Sequence, residues 1–169
     1  MKKLLLLASI LAMSGVAMAA ANDGKSASDE LKVKAQIIQP LKITTSPIDF
    51  GILTIGQKNI YASTEGSIKV EGDPTQNVTF SVEGLESSPV GFVKLMNGTN
   101  SLLAGLIFSD HSSGWVGLNT IGDLSYPLTS GLNFPVTGYI SEVPENTATG
   151  DYVGTVKITA TYDFTPTQQ

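Results

Sequence analysis

Apolar and polar residues alternate along several short stretches of this chain. The clearest alternation occupies residues 152–164, where every second residue from Tyr152 to Phe164 is apolar or glycine. A shorter alternation runs from Leu31 to Ile37. Because successive side chains of a β-strand point to opposite faces, both stretches predict strands with one buried face.

The chain beyond residue 30 has the same character elsewhere. Further short apolar stretches, separated by Gly, Pro, Asn and Ser, occupy residues 48–55, 68–70, 78–82 and 134–140. In no part of this region does an apolar period of 3.6 residues last long enough for a packed helix. The pattern therefore predicts an all-β fold, an antiparallel β-sandwich or barrel, as a single domain over residues 31–169.

The N-terminal residues have the order of a secretory signal peptide. Lys2 and Lys3 precede an apolar stretch at 4–13, and Ala17-Met18-Ala19 supplies an A-x-A cleavage site. We therefore expect residues 1–19 to be a signal peptide and the polar residues 20–30 to be a flexible N-terminal tail. An uncleaved membrane anchor is the alternative, although the apolar stretch is short for a bilayer.

Composition narrows the possible chemistry. The 169 residues include no Cys and one His, and the formal net charge is −5. The absence of Cys excludes disulfides and Cys-ligated metals, and one His is too few for the usual zinc site. All the basic residues are Lys and they are outnumbered by acids, which argues against binding nucleic acid. We expect no cofactor and no metal site.

Candidate catalytic residues are sparse. The single imidazole, His111, lies next to Asp110 in a polar stretch, and adjacent residues of a strand point to opposite faces rather than converge. The carboxylates are scattered over predicted turns, so we expect no enzyme and no catalytic residue. Trp115 lies between glycine-containing segments and is a candidate ligand contact that could stack on a sugar ring. Covering one end of the core is its alternative role.

Both ends of the predicted domain carry a family resemblance. Residues 34–44 lead through Pro40-Leu41-Lys42-Ile43-Thr44 to Asp49-Phe50-Gly51, and the other end contains Gly150-Asp151-Tyr152-Val153-Gly154-Thr155-Val156, then Thr161-Tyr162. These motifs resemble a bacterial secreted family of unknown function, and the second is similar to the terminal strand of fimbrial major subunits. The resemblance implies a pilin-like, immunoglobulin-like sandwich of the chaperone–usher type, completed by a strand from a neighbouring subunit.

A sandwich that lacks a strand needs a donor, and the sequence offers a candidate. An inserted strand must present apolar residues at alternate positions. The candidate donor residues are Leu31, Val33, Ala35 and Ile37. They would serve equally well as the first strand of their own domain. The candidate terminal strand, at an edge or beside the groove, contains Val156, Ile158, Ala160, Tyr162 and Phe164.

These observations predict a structural surface protein, a fimbrial-type subunit assembled by donor-strand exchange. Its expected partners are other copies of itself or related subunits, with a periplasmic chaperone and an usher. The expected location is the cell surface, a fimbrium or the extracellular medium, with the periplasm as the alternative. A monomeric secreted or periplasmic β-sandwich that binds a glycan or a protein is the alternative function.

Overall fold

A computed structural model describes residues 28–86, 91–109 and 114–164. The chain divides into two compact units, residues 1–36 and 37–169. Residues 28–36, the described part of the first unit, belong to no strand or helix and are exposed. The predicted signal peptide at 1–19, most of the predicted tail and His111 lie outside the described residues. Within the described ranges, no helix is both long enough and apolar enough to cross a membrane.

Strands make up almost all of the regular secondary structure described in the second unit. They are β1 Lys42–Ser46, β2 Lys58–Tyr61, β3 Gly66–Glu71, β4 Asn77–Glu83, β5 Leu85–Glu86, β6 Phe92–Asn97, β7 Asn100–Ser109, β8 Trp115–Gly117, β9 Tyr126–Pro127, β10 Leu132–Glu142 and β11 Lys157–Asp163. A short 3-10 helix, Leu118–Asp123, follows β8 and buries Leu118 and Ile121. Several of the longer strands alternate buried and exposed residues, as expected for sheets with one face on a core.

The strands form two antiparallel sheets. In the described part of the chain, the larger sheet contains eight strands, with β1, β3, β10, β7, β6 and β5 in that order. In the same sheet β2 pairs with β10, and β8 pairs with β7. The smaller sheet has the order β11, β4, β9. Strands β1 and β11 therefore each lie at the edge of a sheet.

An aromatic cluster joins the two sheets. Phe80 of β4 meets Phe134 of β10 edge to face, with ring centroids 5.8 Å apart. Tyr126 of β9 and Phe108 of β7 approach the same Phe134 ring at 5.0 and 5.7 Å. All four side chains are buried, and T-shaped ring pairs add to the stabilisation that comes from burial. This packing confirms the predicted all-β, antiparallel sandwich.

Three of the strands predicted from the sequence differ from the structure. Residues 31–37 form no strand and their apolar side chains are exposed, because no described strand pairs with them. Residues 48–55 are apolar but form no strand, apart from a single bridge between Asp49 and Thr64. Gly51 has φ +71° there, and its N–H donates to the Asp49 carboxylate at 2.8 Å, so the chain turns instead of extending. The last strand is shorter than its alternation predicts and begins at Lys157.

Candidate interaction groove

A groove of about 1000 Å³ opens between the two sheets of the second unit. Its floor consists of buried apolar side chains of the larger sheet and of the segments that follow it. These are Ile68, Val93, Leu102, Leu106, Leu118, Val136, Ile140 and Val143. The floor is therefore continuous with the hydrophobic core of the sandwich, and the groove is an opening in that core.

Strand β11 forms one wall of the groove. Ile158, Ala160 and Tyr162 pair directly with Val82, Phe80 and Val78 of β4, and directly paired residues share a face of the sheet. Val78 and Phe80 are buried, whereas Tyr162 and Ala160 opposite them are only partly buried, as are Ile158 and its partner Val82. Among the described strands, β11 has β4 on one side and none on the other. The half of its inward face that is farther from β4 is therefore not flanked by a described strand.

Strand β1 contributes to the opposite wall. Ile43 and Thr45 pair with Val70 and Ile68 of β3, so they face the core side of the larger sheet. Val70 is fully buried, but Ile43 is 38% exposed and Thr45 is also exposed. Since β3 is the one described neighbour of β1, this strand too presents an open edge to the groove.

The rest of the lining comes from two irregular segments. Residues 47–55 follow β1 along the groove, and the Phe50 ring fixes them to the sheet by packing against Gly138. Residues 147–156 line another part. There Val153 bridges to Met96 of β6 through two backbone hydrogen bonds of 2.8 and 3.1 Å. These two segments form the rim of the groove. Ile52 and Val153 on them are 100% and 68% exposed.

Gly154 allows the chain to cross from one sheet to the other. Val153 is bridged to the larger sheet, whereas β11 pairs with the smaller one from Lys157 onwards. A Cβ at Gly154 would lie 2.8 Å from Leu95 Cδ2 and 2.9 Å from the Lys94 carbonyl oxygen, which is too close for a side chain. Glycine is therefore required where the end of the chain passes against β6.

The groove carries little charge. Among the described residues that line it, the carboxylates are Asp49 and Asp151, and there is no Lys. The Asp49 carboxylate accepts the Gly51 N–H, and the Tyr152 hydroxyl donates to the Ala148 carbonyl oxygen at 2.9 Å. In the described ranges no three His, Cys, Asp or Glu residues cluster as metal ligands. The chemistry of the groove therefore suits an apolar partner that also offers backbone hydrogen bonds.

Charged pairs lie on the other surface of the β1 and β3 strands. Glu71 accepts Lys69 Nζ at 2.9 Å, and Lys42 Nζ lies 3.8 Å from the same carboxylate. The hydrogen bond from Lys69 is the main reason that the pKa of Glu71 is lowered, and the charges of Lys69 and Lys42 add to it. These exposed pairs contribute little to stability.

The residues singled out from the sequence fall in different places. Val156 and Ile158 line the groove, Ala160 and Tyr162 continue the same face of β11, and Phe164 beyond it is 63% exposed. Trp115 lies on β8, opposite Ser109, with 47% of its surface exposed. The candidate donor residues belong to no strand, and Leu31, Val33 and Ile37 are 89%, 81% and 96% exposed.

The rim of the groove was not predicted from the sequence. Residues 48–55 were expected to form a strand, but they are irregular, and Ile52 and Ile55 on them are exposed. The signal that was present is the Asp49-Phe50-Gly51 motif. Asp followed two residues later by Gly commonly makes a side-chain-capped turn.

Comparisons with known proteins give a distant similarity to solved structures. No family model matches the sequence, and no curated protein is detectably similar to it. One similar solved structure is the CsuC–CsuE chaperone–tip adhesion subunit pre-assembly complex from the archaic chaperone–usher Csu pili of Acinetobacter baumannii. The alignment covers 72% of this chain and 39% of that one, at 14% identity and a TM-score of 0.41.

Proposed function

We propose that this chain is a structural subunit of an exported surface polymer of the fimbrial type. Each subunit would be completed by a strand inserted from a neighbouring copy into the groove between β1 and β11. The observation that carries the proposal is the pair of open edge strands over a shared apolar floor. An inserted strand would cover the floor and pair with unsatisfied backbone groups, the two needs that an open sheet edge creates.

Residues 31–38 of a second copy are the occupant that fits this groove. Their apolar side chains lie at alternate positions, so in a strand they would span about 20 Å on one face. On the β11 side of the groove, the four inward residues from Val156 to Tyr162 alternate with the same spacing. Leu31, Val33 and Ile37 are almost fully exposed in this chain, which leaves them available to a neighbour.

The proposed role is structural rather than enzymatic. The described lining is largely apolar, and of its two carboxylates, Asp49 and Asp151, the first is engaged in a turn, which supports a structural role. An isolated subunit with an open apolar groove would aggregate, because exposed edges and apolar surface associate without specificity. We therefore expect a periplasmic chaperone that covers the groove before assembly, an usher for export, and a final location at the cell surface.

The test uses a matched pair of substitutions in the full exported chain. Ile37→Asp places a charge on the face that would enter the groove, whereas Gln36→Asp places the same charge on the opposite face. Both positions are exposed, so neither change should disturb the isolated domain. Surface preparations of the unchanged chain and of Gln36→Asp should give an SDS-resistant ladder that collapses on boiling, and Ile37→Asp should abolish it.

Two results would contradict the proposal. The first is a ladder that is indifferent to Ile37→Asp. The second is a single monomer band for the unchanged chain, combined with unfolding of the isolated protein when residues 31–38 are deleted. That second result would mean that the segment completes its own domain, and it would favour the monomeric sandwich that binds a glycan or a protein.

A further inference from the structure

The hydroxyl group of Tyr162 connects the last strand to the chain segment that precedes β1. It donates to the Gln39 carbonyl oxygen at 2.6 Å and accepts the Asp73 backbone N–H at 2.7 Å. Gln39 and Tyr162 are 123 residues apart in sequence. One side chain thus fixes a residue that otherwise lies in an exposed, irregular segment.

The Asp73 turn completes this arrangement, which we call the Gln39 clamp: Gln39, Asp73 and Tyr162. The Asp73 carboxylate accepts the Gln39 N–H at 3.3 Å, and Thr75 donates to it through its N–H at 2.9 Å and its hydroxyl at 2.6 Å. Both backbone polar groups of Gln39 are therefore engaged. A Cβ at Gly72 would approach the Tyr162 hydroxyl oxygen to 2.5 Å, so glycine is needed to admit the ring.

The Gln39 clamp lies directly beside the proposed donor segment. Gln39 immediately follows residues 31–38, and Pro40 restricts the backbone on its other side. Tyr162 belongs to β11, whose inward residue Ile158 lines the groove, as does Val156 just before the strand. The residue that follows the donor segment is therefore held by the same strand that contributes to the wall of the acceptor groove.

We infer that Tyr162 is a positioning residue that fixes the root of the donor segment. This inference rests on the proposed function, because it assigns a role only if residues 31–38 are donated. With Gln39 held, residues 31–38 extend from a fixed point of the second unit. A donor that is organised in advance loses less conformational freedom when it binds. The clamp would thereby favour insertion of residues 31–38 into a neighbour and fix the spacing between consecutive subunits.

The experiment separates donor from acceptor. The donor chain keeps residues 31–38, but its groove is filled by a second copy of those residues tethered to its C-terminus. The acceptor chain begins at Gln39 and has an open groove. Mixing them allows one insertion, measured as formation of an SDS-resistant heterodimer over time. Tyr162→Phe removes only the hydroxyl. Thr120→Val is the matched control, because its hydroxyl also donates to a backbone carbonyl oxygen, that of Gly117 at 2.8 Å, and Thr120 is not among the described residues that line the groove.

Tyr162→Phe in the donor should slow heterodimer formation roughly fivefold, the factor that one hydrogen bond of ordinary net strength carries. The same change in the acceptor, and Thr120→Val in the donor, should leave the rate within about twofold. Amide hydrogen exchange at Gln39 and Asp73 should accelerate in the Tyr162→Phe donor, because their shared contact is gone.

Distinct outcomes would overturn the inference. An unchanged rate for the Tyr162→Phe donor would show that the clamp does not position the donor. An equal slowing in donor and acceptor would assign Tyr162 a purely structural role. If the unsubstituted donor and acceptor form no heterodimer at all, the proposed function itself fails, and this result is distinguishable from the other two.

Discussion

The two sides of this sandwich differ in what covers them. Around Phe134, strand β10 lies between β3 and β7, and rings from the smaller sheet cover it, so Phe134 is 2% exposed. Ile158 also faces inward, but it belongs to an edge strand and is only partly buried. Both are apolar residues at alternating positions of a strand. Their different burial shows that the alternation identifies the inward face and not whether anything lies over it.

The open side is also where irregular segments replace regular strands. In the middle of the larger sheet, β7 and β10 pair over four residues and each has neighbours on both sides. On the open side, the rim consists of residues 47–55 and 147–156, anchored by single bridges at Asp49 and Val153. Segments with few backbone pairs open at low energetic cost. The groove is therefore the part of the domain best suited to accept another strand.

The largest expected effect comes from damaging the closed side. Phe134→Ala should lower the free energy of unfolding by about 3–5 kcal/mol, because it removes a buried ring that contacts three other rings. Urea denaturation of the isolated domain measures this loss. Leu103→Ala is the control, since Leu103 lies on the same sheet but is 48% exposed. Comparable losses of unfolding free energy in the two variants would mean that the aromatic cluster stabilises the domain no more than an exposed position of the same sheet does.

A smaller effect is expected on the open side, and it should depend on whether the groove is filled. Ile158→Ala should cost about 1 kcal/mol in the open domain, because its side chain already meets water, and about 2–3 kcal/mol when residues 31–38 are tethered to the C-terminus and cover it. Four proteins are compared by thermal unfolding: the unchanged domain and Ile158→Ala, each with and without the tethered strand.

Thr159→Ala, on the outward face of the same strand, provides the reference for that measurement. Its cost should stay below about 0.5 kcal/mol with or without the tether. If Ile158→Ala lowers the free energy of unfolding by the same amount with and without the tether, the tethered strand does not cover β11. The open side would then not be a site of strand insertion.

The alternation of residues 152–164 predicted the inward face correctly but not the strand. Burial alternates without a break from Asp151 to Tyr162, although the hydrogen bonds pass from β6 to β4 within this stretch. Side-chain periodicity records which face meets the core, and it carries no information about the pairing partner. The crossing at Gly154 is set by its close approach to Lys94 and Leu95, which are distant in sequence.

The groove could be anticipated only in part. The apolar residues of its wall at β11 were identifiable, because alternation marks them. The rim at residues 47–55 was not, since an apolar run reads as a strand unless the turn at Asp49 and Gly51 is given precedence. The Gln39 clamp was equally invisible, because it depends on a phenol contact across 123 residues. Whether Leu31 to Ile37 leave their own domain also depends on a partner rather than on local pattern.

The smallest expected effect concerns acid, and it bears on the open side alone. Among the described residues no charged side chain is buried, so the closed core offers nothing to titrate. The pKa of Asp73 is lowered from its ordinary value of 3.8, mainly by the Thr75 hydroxyl, then by the Thr75 N–H, with a weaker contribution from the Gln39 N–H. A lowered folded-state pKa stabilises the domain above 3.8 and loses that stabilisation as the pH falls through the lower value.

Asp73→Asn should therefore flatten the acid limb of a stability curve measured between pH 5 and about 2, where the neighbouring Glu71, whose pKa is also lowered, makes a second contribution. Because both carboxylates are exposed, solvent weakens their interactions and the change should be small. Glu71→Gln separates the two: it removes the contact with Lys69 but leaves Gln39 held. If amide exchange at Gln39 accelerates in acid for Glu71→Gln and not for Asp73→Asn, titration of Asp73 releases the donor root. If the Gln39 amide exchanges at the same rate in both variants at every pH, the Asp73 carboxylate has no part in the clamp. Tyr162 alone then holds the residue that follows the donor segment.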